Sequence, residues 1–80
     1  MSTADQVLSV LAQVAETPEV CANPDLRLYD LDILDSLKTV ELIVAFSDKF
    51  GVEISPAELE REQWATPNRI VAYMQDRIGH

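Results

Sequence analysis

Apolar residues recur at helical spacing near the start of the chain. There Val7, Leu8, Leu11, Val14 and Ala15 would share one face of a helix running from Thr3 to Ala15. Thr17-Pro18 closes that segment, because proline lacks a backbone N–H and disfavours helical geometry in the residue before it. A second helical stripe runs from Ser36 to Phe50 on Leu37, Val40, Ile43, Val44 and Phe50. Lys38, Glu41, Asp48 and Lys49 fall mostly off it, and Gly51 follows as a stop. Ser55-Pro56-Ala57-Glu58 has the form of a capping box with proline at the first helical position, which predicts a short third helix from Pro56 to Arg61. Thr66-Pro67-Asn68 repeats the cap-then-proline signal, and Ile70, Val71, Met74 and Ile78 give a fourth helix its buried face.

Residues 17–35 read differently. Pro18, Asn23, Pro24 and several aspartates mark a loop, yet Leu26, Leu28, Tyr29, Leu31, Ile33 and Leu34 do not suit a solvated linker. A loop this long is uncommon in a compact domain, so its apolar residues are expected to pin it across the neighbouring helices. No segment alternates with the period of a strand. The expectation is an all-α four-helix bundle of three longer helices, a short third helix and a long first loop. Its 80 residues make a single domain, 1–80, with little room for an enclosed active site.

Charge narrows the classes of partner. Fourteen acidic residues against six basic ones leave a net charge of −8, which repels nucleic acid and anionic membrane surfaces and favours basic patches on other proteins. Twelve of the acids fall between Glu16 and Glu62, alongside only Arg27, Lys38, Lys49 and Arg61, so the middle of the chain is the acidic surface. That charge also makes a monomer the simplest state. No apolar run approaches the roughly 20 residues that cross a bilayer, so direct membrane insertion is not expected. The lone Cys21 cannot form an internal disulfide, and the first residues lack the basic start and apolar run of a signal peptide, so a cytoplasmic location is expected.

Few residues could carry chemistry. Cys21 has no nearby histidine and reads as an inert, half-buried thiol. His80 is the last residue and is expected to be disordered. Glu58, Glu60 and Glu62 alternate around the short helix with Arg61 among them, as on a solvated face. Trp64, Phe46 and Phe50 read as packing groups that would leave little space for a long acyl chain. No spacing of His, Cys and acids suggests a metal or a nucleophilic catalytic set. Ser36 remains, placed where the long loop becomes the second helix. In the plain account, Asp35 or Ser36 merely caps that helix. In the alternative, the hydroxyl bears a phosphodiester, favoured there by the helix dipole and by unsatisfied N–H groups.

The wider pattern favours modification. Leu34-Asp35-Ser36-Leu37, with Thr39-Val40-Glu41-Leu42 on the same helix, resembles the attachment site of the acyl and peptidyl carrier proteins, and the order of helices and loops agrees along nearly the whole chain. The resemblance implies that Ser36 accepts 4′-phosphopantetheine from coenzyme A through a phosphopantetheinyl transferase. Asp35 would be an adjacent recognition residue, and Leu37, Val40 and Glu41 would form a docking surface. Downstream, Phe50-Gly51-Val52, Glu58-Leu59-Glu60-Arg61 and Trp64-Ala65-Thr66-Pro67-Asn68-Arg69-Ile70-Val71 are similar to the D-alanyl carriers of teichoic acid D-alanylation. That likeness implies two further partners, an ATP-dependent D-alanine ligase and a membrane O-acyltransferase.

Two positions depart from the pattern. Lys38 stands where those carriers tend to have a small residue and fatty-acid carriers an acid; it is placed to pair with Asp35 and Glu41 at helical spacing and would thin the negative patch. Leu37 replaces another large apolar residue found in some of them. Two alternatives stay open at this point: a carrier of another amino acid or acyl group, and a non-covalent acidic adaptor in which Ser36 is only a cap. Enzyme activity in the chain itself is not expected.

Overall fold

The computed structural model describes residues 2–79, so the expectation for His80 lies outside the described residues. Helix α1 (Thr3–Ala15) starts where Ser2 Oγ accepts the N–H of Asp5 at 3.2 Å. It ends at Glu16, which turns left-handed at φ 60° and returns its N–H to Ala12 O. Val7, Val10, Leu11 and Ala15 form its buried face.

The segment expected to be wholly loop contains a single-turn helix, α2 (Glu19–Ala22), which buries Val20. Thr17 supplies the start, its Oγ1 accepting the N–H of Glu19 at 3.3 Å. Beyond α2 the loop is pinned by Leu26, Leu28 and Leu34, all buried, whereas Leu31 is 56% exposed and takes no part in the pinning. Leu28 organises the crossing. Its N–H donates to Ala65 O at 3.0 Å, and its own carbonyl accepts from the N–H groups of Ile33 at 2.9 Å and Leu34 at 3.1 Å. Backbone groups that water would otherwise satisfy are thereby paired inside the fold.

Helix α3 (Ser36–Phe50) has its expected ends, and Gly51 closes it at φ 68°, a conformation that costs a side-chain-bearing residue more than glycine. The face it buries differs from the expected stripe. Leu42, Ile43 and Phe46 enter the core, while Leu37, Val40 and Val44 are 69%, 44% and 54% exposed. α3 carries apolar residues on more than one side, and packing against α1 selects the arc containing Leu42 and Phe46.

The predicted helix from Pro56 to Arg61 is replaced by two shorter features. Ser55 O accepts from the N–H groups of Glu58 and Leu59, which makes one turn only. The chain then extends at Glu60 and begins again as a 3-10 turn, Arg61–Trp64. Glu58 therefore does not close the predicted box. Its counterpart is Gln63, whose Oε1 accepts the N–H of Glu60 at 2.9 Å. The restart delivers Trp64 into the core, where a continuous helix through Arg61 would have a different phase.

Helix α4 (Pro67–Ile78) begins as expected: Thr66 Oγ1 accepts the N–H of Arg69 at 3.2 Å, and Pro67 has no N–H to satisfy. The N–H of Asn68 donates to Pro24 O at 3.0 Å, so the start of α4 is tied to the first loop. Ile70 and Met74 are buried, with Val71 and Ile78 partly so.

At the centre, the fully buried Trp64 meets Phe46 and Tyr73 edge to face, at 5.7 and 5.8 Å between centroids. Such contacts add about 0.5–1.5 kcal/mol each beyond buried area. Phe46 also lies 5.9 Å from the partly buried Phe50. These rings fill the space between α3, the 3-10 turn and α4. The described residues contain no strand, and none of their helices is long and apolar enough to cross a membrane.

Candidate functional site

The start of α3 separates the roles of its first two residues. Asp35 is the cap: its Oδ1 accepts the N–H of Lys38 at 2.8 Å, and its carbonyl accepts both the N–H of Thr39 at 2.9 Å and the Thr39 hydroxyl at 2.7 Å. Ser36 is therefore free of capping. It occupies the first helical position, exposed to solvent. The N–H groups of Ser36 and Leu37 have no partner among the described residues, and a helix start with open donors favours a neighbouring anion.

A groove opens beside Ser36. It encloses about 240 Å³ and is lined by Tyr29, Ser36, Thr39, Val40, Pro56, Leu59, Glu60 and Arg61. One wall is fixed by a short hydrogen-bond chain. The Thr39 hydroxyl has a single proton, which it gives to the Asp35 carbonyl, so the 2.7 Å contact with Tyr29 must be a donation from Tyr29 Oη. The Arg61 guanidinium lies over the same tyrosine, 5.0 Å from the ring centroid. Residues from the first loop, α3 and the segment between α3 and α4 thus meet at one place.

Leu37, Val40 and Val44 form an exposed apolar stripe that begins one residue after Ser36, with the exposed Glu41 beside it. Lys38 does not pair with Asp35 or Glu41. Its ammonium donates to Val14 O at 3.2 Å and to Glu16 Oε2 at 3.3 Å, reaching across to the end of α1, where a cation meets the negative end of the helix dipole. The carboxylate of Asp35 is instead engaged by a backbone N–H. Cys21 is exposed rather than half-buried, with Sγ 3.7 Å from Leu8 O. Glu58, Glu60 and Glu62 are solvated, but they are spread over the turn and the 3-10 segment rather than on one helix. Tyr29, Thr39 and Arg61 were not evident as site residues in the sequence. The only local signal is the Asp35–Thr39 spacing, which allows a hydroxyl to bond back one turn.

An exposed hydroxyl at a helix start, beside an open groove and with no side chain bonded to it as a base, suits a chain that is modified by other proteins. Such a site on an all-α bundle fits the class of carrier proteins. The family described as the phosphopantetheine attachment site matches residues 5–74. The chain is also 42% identical over 76 residues to the D-alanyl carrier protein of Staphylococcus saprophyticus, spanning 95% of this chain and 97% of that one. The chain accordingly belongs to the phosphopantetheine-bearing carrier proteins, on the branch of the D-alanyl carriers. It takes 4′-phosphopantetheine covalently and is itself a substrate of modifying enzymes rather than a catalyst.

Proposed function

We propose that Ser36 is the attachment residue and that the chain carries D-alanine as a thioester. It would receive D-alanine from an ATP-dependent ligase and deliver it to a membrane O-acyltransferase for D-alanylation of teichoic acid, working from the cytoplasm. One observation carries the assignment of Ser36: its hydroxyl is exposed at the start of α3 and Asp35 alone caps the helix, so modification disturbs no hydrogen bond of the fold. The free N–H groups of Ser36 and Leu37 and the adjoining groove fit a phosphodiester bearing a pantetheine arm. When bound, that arm supplies a terminal thiol able to hold an acyl group. The cargo assignment rests on the D-alanyl carrier relative.

The chain contributes recognition. Asp35 presents a carboxylate next to the hydroxyl for the transferase, while Leu37, Val40 and Glu41 offer an apolar strip with one acidic neighbour to successive partners. A small exposed patch of this kind gives weak, exchangeable contacts, as a shuttle requires. The test is intact mass after incubation with coenzyme A and a phosphopantetheinyl transferase, followed by the ligase with D- or L-alanine. The parent should gain one arm and then one D-alanyl group, and Ser36→Ala should gain neither. Modification that persists in Ser36→Ala would refute the site; a preference for the L-isomer would refute the cargo.

A further inference from the structure

We infer that Arg61 is a positioning residue for the modified serine, its guanidinium holding the phosphodiester on Ser36 so that the first part of the arm lies in the groove between α3 and the segment that leads from it to α4. The inference rests on attachment at Ser36. Arg61 and Ser36 line the same 240 Å³ groove, and Arg61 is the only cation among its lining residues. Arg27 is paired with Asp30 at 3.2 Å, Lys38 with Glu16 at 3.3 Å and Arg69 with Glu62 at 3.5 Å; Lys49, Arg61 and Arg77 make no ion pair among the described residues, and of these three only Arg61 lines the groove.

Tyr29 holds Arg61 beside the groove: the guanidinium carbon lies 5.0 Å over the ring centroid, a cation–π contact that leaves its N–H donors open to an acceptor. Tyr29 cannot serve the phosphate itself, since its proton is committed to Thr39. Electrostatics point the same way. Attachment adds a negative charge next to Asp35 and Glu60 on a chain already at −8, and Arg61 is the group in the groove that offsets it. Val40, Pro56 and Leu59 give the groove apolar surface against which the dimethyl-bearing part of pantetheine can rest. A planar fork also matches two phosphate oxygens at once, which a lysine in the same place would not.

The experiment compares the parent, Arg61→Gln and Arg61→Lys, each converted to the modified form, with intact mass and the mass of the Ser36-bearing peptide read first. The spectra are then the Arg61 Nε–H resonance before and after modification, the phosphorus resonance of the phosphodiester, and the rotational freedom of a fluorophore placed on the arm's thiol in proteins that also carry Cys21→Ser, since Cys21 is an exposed thiol. In the parent the Arg61 resonance should move on modification. In Arg61→Gln the phosphorus resonance should depart from the parent's and the fluorophore should rotate faster, with Arg61→Lys between the two. The phosphorus difference between parent and Arg61→Gln should collapse at about 1 M salt, where charges are screened beyond about 3 Å. A parent whose mass shows the arm on Ser36, but whose Arg61 and phosphorus signals ignore each other, overturns the role of Arg61 alone. An arm found elsewhere on the chain overturns attachment at Ser36 and the inference with it.

Discussion

Lys38 on α3 reaches the end of α1, its ammonium 3.2 Å from the carbonyl oxygen of Val14 and 3.3 Å from the carboxylate of Glu16. The cap Asp35 and the exposed Ser36 lie three and two residues before it, so this tie fixes the start of α3 against a second helix. Its charge is also turned toward α1 and away from Glu41. The acidity of the surface beside Ser36 is thus less diminished by Lys38 than its position in the sequence suggests.

Replacing Lys38 with methionine keeps the length of the side chain and removes the donor. The expected cost is about 0.5–1.5 kcal/mol, since the Glu16 partner is exposed and contributes little. For a domain this small, a loss of about 1 kcal/mol lowers the melting temperature by about 4–8 °C. Thermal unfolding of the two proteins checks it, and an unchanged midpoint would refute the tie.

Leu37→Asp and Val44→Asp should separate docking from folding. Both side chains are more than half exposed, so stability should stay within about 0.5 kcal/mol of the parent. Binding to the ligase should weaken by about tenfold for each, equivalent to about 1.4 kcal/mol. Titration calorimetry alongside a melting curve distinguishes the two effects. A variant that binds as the parent does would remove that residue from the docking strip.

Tyr29→Phe deletes the hydroxyl that donates to Thr39 and leaves the ring beneath Arg61. A loss of about 0.5–1.5 kcal/mol is expected. Thr39→Val should cost at least as much, because it strands the partly buried tyrosine hydroxyl. A double-mutant cycle should return a coupling of at least about 0.5 kcal/mol, and additivity would show that the pair does not interact.

Trp64→Ala should cost about 3–5 kcal/mol, the usual consequence of removing a buried aromatic ring. A chain of 80 residues has roughly 4–12 kcal/mol in total, so much of this variant should be unfolded at 37 °C. Trp64→Phe should be milder: it retains a ring between Phe46 and Tyr73 and drops an indole N–H that has no hydrogen-bond partner among the described residues. Denaturant unfolding followed by circular dichroism orders the three proteins.

The ends of α1, α3 and α4 were legible because each is marked by local chemistry: Thr17-Pro18, Gly51 and Thr66-Pro67 act within a few residues. The buried face of α3 was not. Leu37, Val40 and Val44 are as apolar as Leu42 and Phe46, and only the position of α1 decides which arc is covered. The break between Pro56 and Arg61 was likewise hidden, because the capping pattern at Ser55 is genuine for one turn and the core then requires Trp64 in another phase. Single-turn α2 falls below what periodicity can register. At the site, Ser36 and Asp35 stand out through a short contiguous pattern. The groove depends on Tyr29, Thr39 and Arg61 coming together from three parts of the chain, and no local signal reports that.

The two backbone bonds that join Pro24 to Asn68 and Leu28 to Ala65 bear on the timing of synthesis. Made on the ribosome, the first half of the chain emerges without the groups that hold its loop, and α3 has no fixed loop before it until the final helix is released. Closing so long a loop is slow compared with forming either helix. A modifying enzyme that reads the loop together with α3 would therefore meet its complete target only once the residues from Ala65 to Asn68 are in place.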